Sequence, residues 1–272
     1  MLYLLLRRDY LSRVQHPRAA PQCSTPGPQG ARRNRPDQLH TLQTILLVAP
    51  ILLFSVIAHE IAHGYAALRQ GDRTALEAGR LSWNPLKHID PYLTIILPLL
   101  MLSGSSLAGR PMVFGGAKPV PVDPRNYRHI RRGDIIVSLA GVATNLIIAL
   151  VCAALIALTG LIARSLPAME QTVGILQGMF WTGVVLNFSL ILFNLLPIPP
   201  LDGSHVMKYL LPPSWSLRYV QFGRMGVAVL IVMMYLAPGL LNMWLSPALI
   251  AATKTIRALE GTILQSTGQW LQ

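Results

Sequence analysis

The stretch LQTILLVAPILLFSVIAHEIAHGYAAL, residues 42–68, carries no ionisable side chain before His59, and then brings in His59, Glu60 and His63 together. Roughly 20 apolar residues suffice for a helix to cross a bilayer, so the stretch predicts a membrane-length helix. In that setting an unpaired ionisable group costs roughly 2.5 kcal/mol or more, and it usually faces a polar interior and serves a function. The pattern is H-E-x-x-H. On a helix, positions 59 and 63 lie one turn apart on one face, where both imidazoles can hold one metal ion. Glu60 sits beside them and can take a proton from water at that metal. Hydrogen bonding between helices would explain one buried polar residue here, but poorly explains three at ligand spacing.

Further along, residues 135–163 and 173–197 are also apolar for longer than a bilayer requires. The chain of 272 residues is 52% apolar, and only 12% of its residues are charged. That is about half the charged share of a soluble domain, and the mean hydropathy is +0.46. A disordered basic protein would be poor in apolar residues. A soluble nucleic-acid binder is likewise excluded, despite the net charge of +12, because the apolar residues come in long blocks. The composition is that of a polytopic membrane protein, and its arginine excess reads as a topology signal. Cys23 and Cys152 do not make a disulfide framework.

Length favours one domain. Residues 1–40 hold seven arginines and Pro17, Pro21, Pro26, Pro28 and Pro36, and read as a flexible basic extension. The membrane-embedded domain is expected over 41–258, with a tail at 259–272. Between the spans, residues 69–90 are polar and turn-rich, 92–103 form a short apolar piece, and 110–134 are basic and rich in Pro and Gly. Within the last, Val113 to Val122 suggests a strand or small β-hairpin, confined to an edge by its prolines.

Lys and Arg number four in 69–90, six in 110–134 and three in 201–224, against Arg164 alone in 159–172. The spans at 134–163 and 172–196 then form an antiparallel pair whose basic flanks face the cytoplasm. If 69–90 is also cytoplasmic, residues 92–108 must enter and leave on one side, which predicts a re-entrant or interfacial piece. The arginines of 1–40 fall on the opposite side and fit this arrangement poorly.

A catalytic zinc usually has three protein ligands plus water. Asp202, in the corner Asn194-Leu195-Leu196-Pro197-Ile198-Pro199-Pro200-Leu201-Asp202-Gly203, is the candidate third ligand. It is expected at the cytoplasmic end of a span, at the level of His59 and His63. A plain Asp-Gly turn is the simpler alternative, and His205 is the rival ligand. His88 and Asp90 are further polar candidates.

Four motifs in order resemble the site-2 protease family of intramembrane zinc metallopeptidases, in particular its compact bacterial branch without a PDZ domain. They are His59 to His63, Asn84-Pro85-Leu86-Lys87-His88-Ile89-Asp90-Pro91, Gly116-Ala117-Lys118-Pro119-Val120-Pro121-Val122 and Leu195 to Gly203. The resemblance spans about residues 42–250. It implies an all-α polytopic protein with a three-helix catalytic core, made of the 42–68, 134–163 and 172–197 spans. It also implies one Zn²⁺ held by His59, His63 and Asp202, with Glu60 as general base. The family's G-P-x-x-N motif stands here as Gly141-Val142-Ala143-Thr144-Asn145, with Val142 where proline is usual. On that alignment Asn145 is a candidate catalytic residue, donating to the oxyanion or substrate backbone, or else a helix–helix hydrogen bond.

The implied substrates are transmembrane proteins in the bilayer of a cell (inner) membrane. The site is expected near the cytoplasmic side, with no nucleic-acid partner. The Val113–Val122 segment could add an edge to an unwound substrate strand. A metal transporter would also use intramembrane His and Asp, but this chain offers no second site along a path. A non-catalytic scaffold would be expected to have lost Glu60 or a ligand.

Overall fold

The computed structural model describes residues 34–97 and 115–263. Among these residues the chain is helical and forms no strand. The first helix, α1 (Asn34–Gln70), begins inside the stretch expected to be a flexible extension. Pro36 lies in its first turn, where the missing N–H would have no helical partner anyway. The other two long helices are α2 (Ile130–Ser165) and α3 (Glu170–Asn194). These three are long and apolar enough to cross a membrane, α1 doing so over Val48–Gln70. At 1.5 Å per residue, the 36-residue α2 is roughly 54 Å long, well beyond a hydrocarbon core of about 30 Å.

The faces of α2 follow the logic of a helix in lipid. Gly133, Ser138, Gly141, Asn145, Ala149, Cys152, Ala153 and Gly160 are buried, whereas Ile136, Ile147, Leu150, Val151, Leu158 and Leu161 are exposed. Small residues let backbones approach closely, and large aliphatic ones meet the acyl chains. Gly183 of α3 shows this closeness: a Cβ there would lie 2.6 Å from the Cys152 sulfur. Around that contact Ala58, Ile148, Cys152, Ile156, Val184 and Val185 form the main core. Two side-chain amides cross-link it. Asn187 donates to Ser55 Oγ at 2.9 Å, and Gln177 donates to the carbonyls of Ile156 at 3.0 Å and Thr262 at 2.9 Å.

After α3, the corner at 195–201 leads into α4 (Asp202–Leu210) and α5 (Pro213–Phe222). The last apolar block is α6 (Gly226–Leu236) and α7 (Pro238–Ala258), divided before Pro238. Leu196, Leu201, Leu230, Met234, Leu241 and Leu245 form a second core beneath the corner.

The segment at 115–123 is extended coil, not the expected hairpin, while 113–114 lie outside the described residues. Its backbone polar groups are engaged by other parts of the chain. Lys118 N donates to the His88 carbonyl at 2.8 Å, and Arg80 donates to the Lys118 carbonyl at 2.9 Å. Pro119 and Pro121 have no N–H to give a ladder. Of the expected re-entrant piece at 92–108, Pro91–Ile96 is a single π-helical turn, and 98–108 lie outside the described residues.

Asp72 fastens this loop to the end of α1. Its carboxylate accepts from Asp123 N at 2.7 Å, Asn126 Nδ2 at 2.9 Å and Thr74 N at 3.1 Å. Burial alone would raise the Asp72 pKa, but these hydrogen bonds and that from the Thr74 hydroxyl hold it below the usual carboxylate value. A depressed carboxylate stabilises the fold at pH above its unfolded pKa, and that stabilisation fades as pH falls through the folded value. The pin therefore holds at neutral pH and is lost only in acid.

Candidate active site

His59 and His63 face the same side of α1, as helical spacing requires, and Asp202 reaches them from the first turn of α4. His59 Nε2 and His63 Nε2 are 3.0 Å apart. Asp202 Oδ2 is 3.2 Å from His59 Nε2, and Oδ1 is 3.5 Å from His63 Nε2. Two ligands each about 2.0–2.1 Å from one tetrahedral zinc would lie roughly 3.3 Å apart. The three residues therefore fit a single ion, with the carboxylate and two imidazoles that zinc prefers. They form the one such group among the described residues.

Each imidazole is oriented through its other nitrogen. His63 Nδ1 donates to the Val137 carbonyl at 2.7 Å, which leaves the Nε2 lone pair for a metal. His59 Nδ1 lies 3.2 Å from the Asn145 amide, and Asn145 is fully buried. The two ends of an amide have the same shape. With Oδ1 turned to His59, Nδ1–H donates and Nε2 is again free to ligate. The Val137 contact was not legible in the sequence, because a backbone carbonyl leaves no signature there.

The His59 ring rests on Gly141. A Cβ at that position would lie 2.6 Å from each ring nitrogen, so only glycine leaves the ring its place. Gly141→Ala is expected to push His59 off its partners, at a cost of about 1–3 kcal/mol for overpacking. Zinc content per chain checks this, and parental loading in the alanine variant would refute it.

Glu60 lies beside the clustered ligand atoms without being one of them. Its Oε2 accepts from Val120 N at 2.9 Å, tying the extended segment to α1 beside the histidines. The result is a cavity of about 380 Å³. Its walls include His59, Glu60, His63, Asn145 and Asp202, and its roof is built from Gly116, Pro119, Val120 and Val122.

The remaining candidates fall elsewhere. His88 is buried and donates from Nε2 to the Ser82 carbonyl at 2.8 Å, holding a loop. Asp90 Oδ1 accepts from Tyr92 N at 2.8 Å at the start of the next turn. His205 lines the cavity, but its Nδ1 meets Asp134 at 3.2 Å and it is not among the clustered ligand atoms. Asp134, which the sequence reading passed over, is buried in the same cavity wall.

Comparisons with known proteins agree with this geometry. The sequence profile of Peptidase family M50 matches residues 47–237, and no PDZ domain was found. A Bacillus subtilis protein named "Putative zinc metalloprotease YwhC" is 35% identical over 225 residues, covering 83% of this chain and 94% of its own length. "Putative zinc metalloprotease Rip2" of Mycolicibacterium smegmatis is 32% identical over 203 residues, covering 73% of this chain and 70% of its own length. No solved structure matches the chain significantly. The clustered His59, His63 and Asp202 side chains thus sit inside the matched region of a multi-pass membrane protein, and the chain belongs to the M50 (site-2 protease) family of zinc metallopeptidases.

Proposed function

We propose that the protein is an intramembrane zinc metalloendopeptidase that hydrolyses peptide bonds in or near transmembrane segments of membrane-protein substrates. The observation that carries this is the placement of Glu60 beside a three-ligand cluster, inside a helix of membrane-spanning length. In this reading His59, His63 and Asp202 are the ligands of one zinc ion. Bound zinc supplies Lewis-acid polarisation of the scissile carbonyl and lowers the pKa of a coordinated water towards 7. Glu60 accepts the proton of the attacking water and later delivers it to the leaving amine. Because Val120 N–H already occupies Oε2, the other oxygen, Oε1, is the atom assigned to that transfer.

Asn145 has two tasks in this scheme. With the amide turned so that Oδ1 accepts from His59 Nδ1–H, Nδ2 takes the position that has no protein partner and donates to the substrate carbonyl as its oxyanion develops. The scissile amide of a helical substrate is already hydrogen-bonded, so the substrate unwinds locally before attack. The extended segment over the cavity receives the unwound backbone.

The chain sits in the cell (inner) membrane with its site near the cytoplasmic side, as the basic loops at 110–134 and 201–224 indicate. Labelling of a cysteine placed at position 128 from outside intact cells would reverse that orientation. The activity is tested with the purified protein and a panel of transmembrane substrates. Cleavage is expected with zinc, lost on chelation and restored by zinc alone. Cleavage that survives full chelation would exclude a metallopeptidase.

A further inference from the structure

Helix α4 presents Asp202, yet little apolar burial fixes the helix itself. Gly203 and Ser204 are its only fully buried residues. At nine residues it is also too short to be stable alone. What holds it is ionic. The Asp134 side chain, 3% exposed on the first turns of α2, takes His205 Nδ1 on Oδ1 at 3.2 Å and the Lys208 ammonium on Oδ2. Nearby, Arg131 donates to the Tyr209 carbonyl at 3.2 Å. His205 follows Asp202 by three residues and Lys208 follows His205 by three, so the clamp begins beside the ligand and continues round the helix by neighbouring positions. A buried carboxylate is tolerable only when paired, which makes this seat for α4 specific.

On α2, Asp134 belongs to a stripe with Val137, Gly141 and Asn145, spaced so that they share one helical face. Val137 orients His63, while Gly141 and Asn145 seat His59. Asp202 is the remaining ligand, and Asp134 reaches its helix from that stripe.

Resting on the zinc reading above, we infer that Asp134 is a positioning residue which, through His205 and Lys208, sets the Asp202 carboxylate for metal binding. One face of α2 then orients all three ligands. The structural alternative is that the cluster merely fastens α4 to α2, with no consequence for the metal.

The test uses the full chain in detergent, with zinc affinity measured by chelator competition and the absorption spectrum of the cobalt-loaded protein. Partners that orient ligands typically change metal affinity about 10–100-fold. Asp134→Asn is expected to weaken zinc within that range and to alter the cobalt spectrum. Lys208→Met should do so to a smaller extent, with Lys208→Arg restoring most of the loss. Asp72→Asn, which loosens a loop at the end of α1, is the control expected to leave the spectrum unchanged.

Parental zinc affinity and spectrum in Asp134→Asn would overturn the inference, as would the same change appearing in Asp72→Asn. If Asp134→Asn does not accumulate, His205→Gln and Lys208→Met decide: parental behaviour in both overturns it, and loss in both supports it. Asp202→Ala separates the two readings. Undiminished affinity there would mean that the ligand assignment itself had failed, and the inference with it.

Discussion

Glu60→Gln is expected to keep zinc and the fold while reducing peptide cleavage by about 10⁴-fold or more. Glutamine has nearly the shape of glutamate, so packing along α1 should persist. Its carbonyl oxygen can still accept from Val120 N–H, so the segment over the cavity keeps its seat on α1. Glu60 is not in the ligand cluster, and zinc content should therefore be unchanged. What is lost is the carboxylate that takes the water proton and returns it to the amine. A positioned acid or base typically contributes about 10²–10⁴-fold, and here one residue serves both steps. If Glu60 were only the anchor for Val120, Gln would preserve activity. Cleavage by the zinc-loaded variant at even a tenth of the parent rate would remove Glu60 from the chemistry.

The parts of this site that were legible in the sequence are those written within one helix turn or one corner. H-E-x-x-H fixes the relation of His59, Glu60 and His63 by helical spacing alone. The apolar blocks placed α2 and α3 within a few residues of their observed ends, because length and charge depletion suffice for a span. Asp202 lies far away in the chain; the expected topology put it at the level of the histidines as a candidate, and the family's motif order then implied it as the third ligand.

What could not be read depends on packing. Asp134 looks in sequence like an ordinary charge at the end of a span, and becomes notable only when His205 and Lys208 close on it. Gly141 was visible as a motif glycine, but the ring it accommodates was not. The expected hairpin failed for a related reason. Residues 113–122 suggested an edge strand or hairpin, yet the described part spends its hydrogen bonds on His88, Arg80 and Glu60. Backbone pairing of that kind competes with any ladder and leaves no periodic trace.

Asp202→Ala is expected to abolish stoichiometric zinc binding. The variant keeps both imidazoles, and their orienting contacts to Val137 and Asn145 lie on α2, away from the change. Two histidines one turn apart remain, one ligand short of the three that a catalytic zinc site usually has. Losing an outer partner costs about 10–100-fold in affinity, and losing a direct ligand should exceed that. The fold has less to lose. Asp202 meets only the two imidazoles, and α4 retains its hold on Asp134 through His205 and Lys208. Metal analysis of the purified variant, beside its thermal unfolding, separates the two effects. The rival arrangement uses His205, one turn further along α4. For it to ligate, His205 would have to swing its ring from its place beside Asp134 towards His59 and His63. Undiminished zinc in Asp202→Ala, together with zinc lost in His205→Ala, would establish that arrangement and displace Asp202 as the third ligand.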